Sequence, residues 1–468
     1  MTEAKQHVLN RVTFQTSRAF DFCSRKGLVT ETGHEVECWP LVILKELVDN
    51  ALDACEEAGV APEISVTVDP VRGIIIITDN GPGIPPETVA GVIDFERRVS
   101  NREAYMAPDR GAQGNALKTI VAMPFVLDGE RGEVTIRARG IEHRITMRAD
   151  QVRQRPAVDH QQRRIKVNTG TSVTAHWPDS ACLTDKGVQR RFLQIAESYT
   201  WLNPHLALSA RFEKEQFRHK ATDPNWTKWR PSDPTCPHWY GPEHLSRLIG
   251  AYIAHDADNG RERTVREFVA EFRGLSGSAK QKRVLDATKL ARAKLADLAK
   301  DGRLDREAIG KLLAAMKRET RPVKPKLLGT IGEDHLRERF QAVGCELKTF
   351  KYQKYLGEAE GAPFVLEFAF GYCPDLDSIE DTLVDEEWGE TYRATVRRRL
   401  VTGVNWSPGI VNPFRELGVL GKSCDAVLAE QRIDPSDPVI LVLHCAYPRV
   451  EFADRGKSSI YLKGDDGQ

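Results

Sequence analysis

Residues 41–59, LVILKELVDNALDACEEAG, constrain the fold of this chain more than any other stretch. Leu41, Leu44, Leu47, Val48, Leu52 and Cys55 recur at helical spacing on one stripe, which predicts an amphipathic helix of at least four turns that must bury that stripe. Immediately after it, ISVTV (64–68) and IIIIT (74–78) are β-branched runs separated by DPVRG, whose Pro and Gly mark a turn. They predict a hairpin. VTIRA (134–138), HRITMRA (143–149) and SVTAHW (172–177) add strands. A long helix against several such strands predicts an α+β layered sandwich, not a doubly wound sheet.

At 468 residues the chain exceeds one ordinary domain. KATDPNWTKWRPSDPTCPHWYGPEH is rich in Pro, Trp and turn formers and reads as a connector, with a boundary near residue 235. From 240 to 320 the pattern is almost wholly helical, including TVREFVAEF and VLDATKLARAKLADLAK, until RPVKPK (321–326) ends the run. Beyond it, FVLEFAFGY (364–372) and PVILVLHCAY (438–447) predict buried strands. The expected division is 1–234, 235–322 and 323–468.

Composition excludes more than it assigns. Lys plus Arg equals Asp plus Glu at 67 each, so any contact with nucleic acid must be local. No run approaches the roughly 18 apolar residues of a membrane span, and MTEAKQHVLNRV lacks a signal-peptide core. The expected address is the cytoplasm. Nine cysteines are scattered without a C-x-x-C pair or zinc-like spacing, which predicts reduced thiols, no disulfides and no structural metal.

Four pieces carry candidate chemistry. Glu46, Asn50 and Asp53 share one face of the first helix, where an amide oxygen suits magnesium and a carboxylate can activate water. By itself that face reads more commonly as solvated helix surface. Asp79-Asn80-Gly81-Pro82-Gly83 follows a strand; its glycines admit a flat ligand and Asp79 can accept from an amino group such as that of adenine, or the piece is a plain turn. Arg110-Gly111-Ala112-Gln113-Gly114-Asn115-Ala116-Leu117-Lys118 is a glycine-bearing loop entering a helical segment, able to hold phosphate on free amides or to act as a flexible connection; it is not a Walker loop. Gly170-Thr171, before a strand, is non-specific alone. In this order, each on the element its chemistry requires, the four point to one nucleotide site.

ELVDNALDA, DNGPGIP, RGAQGNALK and the late Gly-Thr resemble the ATP-binding boxes of the superfamily joining gyrase, histidine kinases, MutL and the large heat-shock chaperones. The resemblance implies the GHKL, or Bergerat, α/β sandwich. Within that group the chain is similar to the B subunit of DNA topoisomerase VI: TVREFVAEF and PVKPKLLGTIGEDHL (322–336) resemble its helix-two-turns-helix insert and the entry to its transducer, and FVLEFAFGY, VNWSPGIVNPF (404–414) and PVILVLHCAYPRVEFADRGKSSI (438–460) resemble the transducer itself. The resemblance implies that Glu46 activates water, Asn50 holds Mg2+, Asp79 reads adenine, Gly81, Gly83 and Thr171 line the base, and Gly111, Gln113 and Gly114 wrap the phosphates. Asp53, Ile84, Ser100, Asn101, Arg110, Ala112, Asn115, Ala116, Leu117 and Lys118 complete the implied ATP set. Lys457, which out of context reads as a solvated surface charge, is by position the residue that the resemblance implies as the lysine reaching the terminal phosphate.

Two departures stand out. Ala116 occupies the place of a family glycine, and after Lys457 only eleven residues remain where the family continues into a long stalk helix. The implied function is the ATP-hydrolysing subunit of a type IIB topoisomerase, closing as a homodimer on ATP and needing a separate toprim-containing DNA-cleaving subunit. The alternative is a standalone ATP-gated DNA clamp or switch in repair or anti-phage defence. A kinase or chaperone on the same fold lacks the insert and transducer. Lys280, Lys282 and Arg283, with Arg292 or Lys294, form a candidate phosphate-contacting cluster, or an ordinary solvated helix face.

Overall fold

A computed structural model of the chain describes residues 17–96, 104–111, 116–166, 169–178, 183–384, 391–414, 422–457 and 459–460. Its first half runs α1 (Arg25–Thr32), α2 (Trp39–Ala58), β1 (Glu63–Asp69), β2 (Ile74–Thr78), α3 (Pro86–Val92), α4 (Ala116–Asp128), β3 (Gly132–Ala138), β4 (Ile141–Asp150), β5 (Arg155–Arg164), β6 (Thr171–His176), α5 (Lys186–Leu202), β7 (Ala207–Phe212) and β8 (Glu215–His219). The strands form one sheet in the order β5-β4-β3-β6-β2-β1-β7-β8, antiparallel except where β1 meets β7. The period-2 alternation of β1 and β2 turns Ile64, Val66, Val68, Ile75 and Ile77 to one face, where they pack with the apolar stripes of α2, α4 and α5. Burying each such side chain contributes about 1.5–3 kcal/mol, which is what fixes α2 on the sheet. The helix expected over 41–59 and the 64–78 hairpin are both present, and Gly59, left-handed at φ 67°, ends α2. The α+β sandwich is therefore the observed fold.

The second half runs α6 (Pro242–Asp258), α7 (Val265–Ala270), α8 (Ser278–Thr288), a short hairpin of β9 (Ala299–Lys300) and β10 (Arg303–Leu304), α9 (Arg306–Glu319), α10 (Glu333–Ala342), β11 (Lys351–Ala359), β12 (Ala362–Tyr372), β13 (Ile379–Val384), β14 (Thr391–Val396), β15 (Arg399–Val404), β16 (Ser407–Pro408), α11 (Cys424–Glu430) and β17 (Val439–Ala446). Its main sheet has the order β11-β12-β17-β15-β16. One hydrophobic core runs without a break from the helical region to this sheet, from Leu245 and Phe268 through Met316 and Phe340 to Val442.

Four expectations need correction. The helix read over VLDATKLARAKLADLAK stops at Thr288, because Lys289 turns left-handed at φ 62° and Leu295 and Leu298 are instead buried through a 3-10 turn. FVLEFAFGY is buried on one face only, leaving Phe368 and Tyr372 exposed on the other. The connector lacks long elements, as expected, yet it is packed core: Trp229 and Trp239 are buried with ring centroids 4.8 Å apart, and the Trp226 indole donates to the Thr330 carbonyl at 2.6 Å. Cys345, just past α10, and Cys373, just past β12, form a disulfide where reduced thiols were expected; the end of the helix lies beside the end of the strand. Among the described residues no helix is long and apolar enough to cross a membrane.

Candidate functional site

A cavity of about 570 Å³ lies between α2, the 79–85 loop, the end of β2 and the start of β6. That volume is in the range of small-molecule sites. Its floor is the α2 face of Leu47, Asn50, Ala51, Ala54 and Ala58, where small side chains one helical turn apart leave room for a flat ligand. Ile77, Val173 and Ile84 supply apolar walls, and Asp79, Thr171, Arg139 and Glu57 supply polar edges.

Asp79 is fixed by backbone. Its Oδ1 accepts from the Gly81 amide at 2.8 Å and the Thr171 amide at 3.1 Å, while the Thr171 hydroxyl accepts from the Ile84 amide at 3.2 Å. Burial pushes the Asp79 carboxyl up, against the downward pull of those bonds. Gly170 makes the junction feasible: at φ 78° its Cα faces the Asp79 carbonyl so closely that an added Cβ would sit 2.0 Å from the oxygen. Two segments ninety residues apart in sequence thus close one end of the cavity.

Asn50 is exposed at the cavity edge, and Glu46, one turn earlier, is half-buried. Asp53 takes a different place from its helix neighbours. It is 2% exposed and bonded at 2.6 Å to Arg110, whose guanidinium also meets Glu56 at 2.7 Å and Asn203 at 2.7 Å. His205 and Lys228 approach the same Glu56 at 3.0 and 2.9 Å. Burial alone would raise the Glu56 carboxyl, but Arg110 and Lys228 hold it well below the usual range. Asp53 and Arg110 therefore anchor the entrance to the glycine loop from beneath.

Gly111 follows that anchor. Ala112, Gln113, Gly114 and Asn115, with Ser100 and Asn101, lie outside the described residues. Ala116 opens α4, Leu117 lines the cavity, and Lys118 is 1% exposed within the helix. Lys457 arrives from the other end of the chain: its Nζ donates to the Arg110 carbonyl at 2.9 Å and lies 3.5 Å from where a Cβ on Gly111 would be. The His34 ring meets the Gly456 carbonyl at 3.0 Å, fixing the adjoining backbone.

The basic cluster is partly neutralised. Arg283 on α8 is ion-paired with Glu319 at 2.8 Å, Lys280 donates to the Gly274 carbonyl at 3.1 Å, and Lys294 is paired with Glu262 at 2.6 Å, while Lys282 and Arg292 are exposed.

Sequence reasoning missed several residues here. Arg139, in the β3–β4 turn, donates through Nε to the Gly83 carbonyl at 2.9 Å and lines the cavity; no local signal marks it. The alanines of the α2 floor were detectable, since 51, 54 and 58 follow helical spacing. Lys45, Asp49 and Ser407, which meet in a buried network beside Glu46, had no signal because Ser407 is remote in sequence.

Residues 39–181 match the family model described as histidine kinase-, DNA gyrase B-, and HSP90-like ATPase. Curated relatives are B subunits of type 2 DNA topoisomerase 6: that of Archaeoglobus fulgidus is 38% identical over 96 residues, covering 20% of this chain and 16% of the relative. That of Metallosphaera sedula is 25% identical over 363 residues, covering 73% of this chain and 63% of the relative. The chain thus spans under two thirds of these relatives. A solved Aquifex aeolicus MutL ATPase domain complexed with ADP covers 39% of this chain and 63% of that one at 20% identity, with a TM-score of 0.26, too low to carry weight. Residues 39–181 are thus similar to ATPase domains of the histidine kinase, DNA gyrase B and HSP90 type, and the chain is similar along most of its length to the B subunit of type 2 DNA topoisomerase 6.

Proposed function

We propose that this chain is the ATP-binding and ATP-hydrolysing subunit of a type IIB, topoisomerase VI-like enzyme, in which ATP-driven closure of a homodimer controls passage of DNA. The observation that carries this reading is the cavity edge where backbone-fixed Asp79 and the α2 face with Asn50 meet; the loop entrance at Arg110-Gly111 is tied to the same helix through Asp53 and is touched by Lys457 from the far end of the chain.

In this reading Asp79 accepts from the adenine amino group, with Gly81, Gly83, Ile84 and Thr171 against the base. Glu46 takes a proton from the attacking water, and amides of the 111–115 loop at the start of α4 hold phosphate oxygens. Asp53 and Arg110 position that loop. Asn50 offers an exposed amide oxygen, a hard donor that suits Mg2+ with its retained waters, and the ion when bound offsets phosphate charge. Lys457 exchanges its Arg110 carbonyl for the terminal phosphate, so nucleotide favours one relation of the two halves by differential binding. Lys280, Lys282 and Arg283 contact DNA phosphates, which compete with Glu319 for Arg283. The units 1–234, 235–322 and 323–468 act as ATPase, helical insert and transducer; the core that the last two share also takes in Trp201, Leu202 and Trp229 of the first. A separate toprim-containing subunit supplies DNA cleavage, and the cytoplasm is the expected compartment.

The test is steady-state ATP hydrolysis and light scattering with a non-hydrolysable ATP analogue, wild type against Glu46→Ala. The expected result is nucleotide-dependent dimerisation in both and turnover in the wild type alone. Unchanged hydrolysis in Glu46→Ala removes the base assignment. Dimerisation with no change in plasmid topology, even with co-purified partners from native cells, favours the standalone clamp.

A further inference from the structure

The short hairpin between β15 and β16 turns through Asn405 and Trp406, both left-handed at φ 50° and 63°. Asparagine tolerates that conformation; a buried tryptophan adopts it only where its surroundings over-determine it, and such residues concentrate at functional positions. The surroundings are evident. The Trp406 amide donates to His444 Nε2 at 3.2 Å, and the Trp406 carbonyl accepts from Asn203 Nδ2 at 2.9 Å. His444 in turn faces Glu367 through Nδ1 at 3.3 Å, and Glu367 is bonded to the Ile331 and Gly332 amides and the Tyr352 hydroxyl. The second core thus grips the turn from behind.

Its front carries two prongs into the ATPase half. Asn405 Nδ2 donates to the Asp109 carbonyl at 3.2 Å, one residue before Arg110. Ser407 Oγ donates to Asp49 Oδ2 at 2.8 Å and accepts from Lys45 Nζ, which also meets Asp49 at 3.1 Å. Tyr199 donates to Asp49 Oδ1 at 2.8 Å. Lys45 and Asp49 bracket Glu46, and Asp49 precedes Asn50, so the network grips the turn of α2 that faces the cavity edge.

We infer that Asn405 and Ser407 are positioning residues for ATP hydrolysis: Ser407, through Asp49 and Lys45, fixes the helical turn bearing Glu46 and Asn50, and Asn405, through the Asp109 carbonyl, fixes the start of the phosphate loop. The inference rests on the reading of the cavity as an ATP site. The two prongs act on different steps: a misplaced Glu46 slows chemistry, whereas a displaced loop start loosens nucleotide.

The experiment is steady-state ATP hydrolysis by the full chain carrying Ser407→Ala, Ser407→Thr or Asn405→Gly, beside wild type and Glu46→Ala. Ser407→Ala is expected to lower kcat about tenfold with KM nearly unchanged, as a small misplacement of a reacting group does. Ser407→Thr, which keeps the hydroxyl, restores kcat. Asn405→Gly keeps a left-handed backbone without strain and removes the bond to the Asp109 carbonyl together with the side-chain bonds to Tyr447, and it is expected to raise KM for ATP about tenfold with kcat nearly unchanged. A merely structural turn predicts lower melting temperatures but wild-type kcat and KM in all three variants, and that result overturns the inference. Should Ser407→Ala not fold, Asn405→Gly still decides it, because wild-type KM in that variant overturns the loop role. Absence of Glu46-dependent hydrolysis in the wild type instead sinks the ATPase reading beneath it.

Discussion

Arg110 is the residue whose removal has the clearest physical consequence. Its guanidinium is buried against Asp53 and Glu56, and burial, which would lower its proton affinity, is outweighed by those carboxylates. Arg110→Met leaves two carboxylates buried with reduced compensation and is expected to cost about 3–5 kcal/mol, measured by urea unfolding at neutral pH. A loss below about 1 kcal/mol would show that water or Lys228 compensates the cluster. The sign of its pH dependence follows from Glu56. Its carboxyl is held well below its unfolded value, so the stabilisation is complete above the ordinary carboxylate range and is lost as pH falls below it. Asp53 shows how far spacing carries a site prediction. Its place on the helix was readable, but its partner, fifty-seven residues away, was not.

At the scale of elements, burial decided only part of what was legible, since α5 and β7 carry buried apolar faces and were not read. Strands β1, β2, β3, β4 and β6 each carry a buried apolar face and were visible in the sequence. Strand β5, RPAVDHQQRR, is an exposed edge strand held by its backbone ladder to β4, so no hydrophobic period marks it. The junction of the 79–85 loop with Gly170-Thr171 depends on both strand ends arriving in register, with Thr78 opposite Ser172. Gly170→Ala places a methyl against the Asp79 carbonyl in a left-handed position, and is expected to weaken nucleotide binding at least tenfold by isothermal titration, about 1.4 kcal/mol. Wild-type affinity would mean that the junction can yield without moving Asp79.

Across the whole molecule, His335 and Glu197 report on how the halves are joined. His335 on α10 bonds to the Trp201 carbonyl at 3.0 Å and to the Thr222 hydroxyl, and Glu197 on α5 is paired with Arg399 of β15 at 2.9 Å. Burial, aided by Arg339, lowers His335 to about 3 from an ordinary 6.5. Burial would raise Glu197, but Arg399 and His219 bring it to about 2 from 4.5. Both groups bind protons in the unfolded chain before the folded one, so stability falls as pH drops, through His335 from about 6.5 and through Glu197 from about 4.5. Urea midpoints are expected to decline between pH 7 and 5, and His335→Asn to flatten that decline; an unchanged slope would show that other groups dominate it. The sequence by itself determined the buried stripe of α2, the hairpin beside it and the order of the four boxes, because helix and strand periods and turn chemistry are local properties. Only the tertiary structure decided that Asp53 turns inward to Arg110, that the tryptophan-rich connector is core, and that Asn405 and Ser407 reach Asp109 and Asp49. Those contacts join residues tens to hundreds of positions apart, and what holds them is burial of polar groups that must find partners once the two cores close around them.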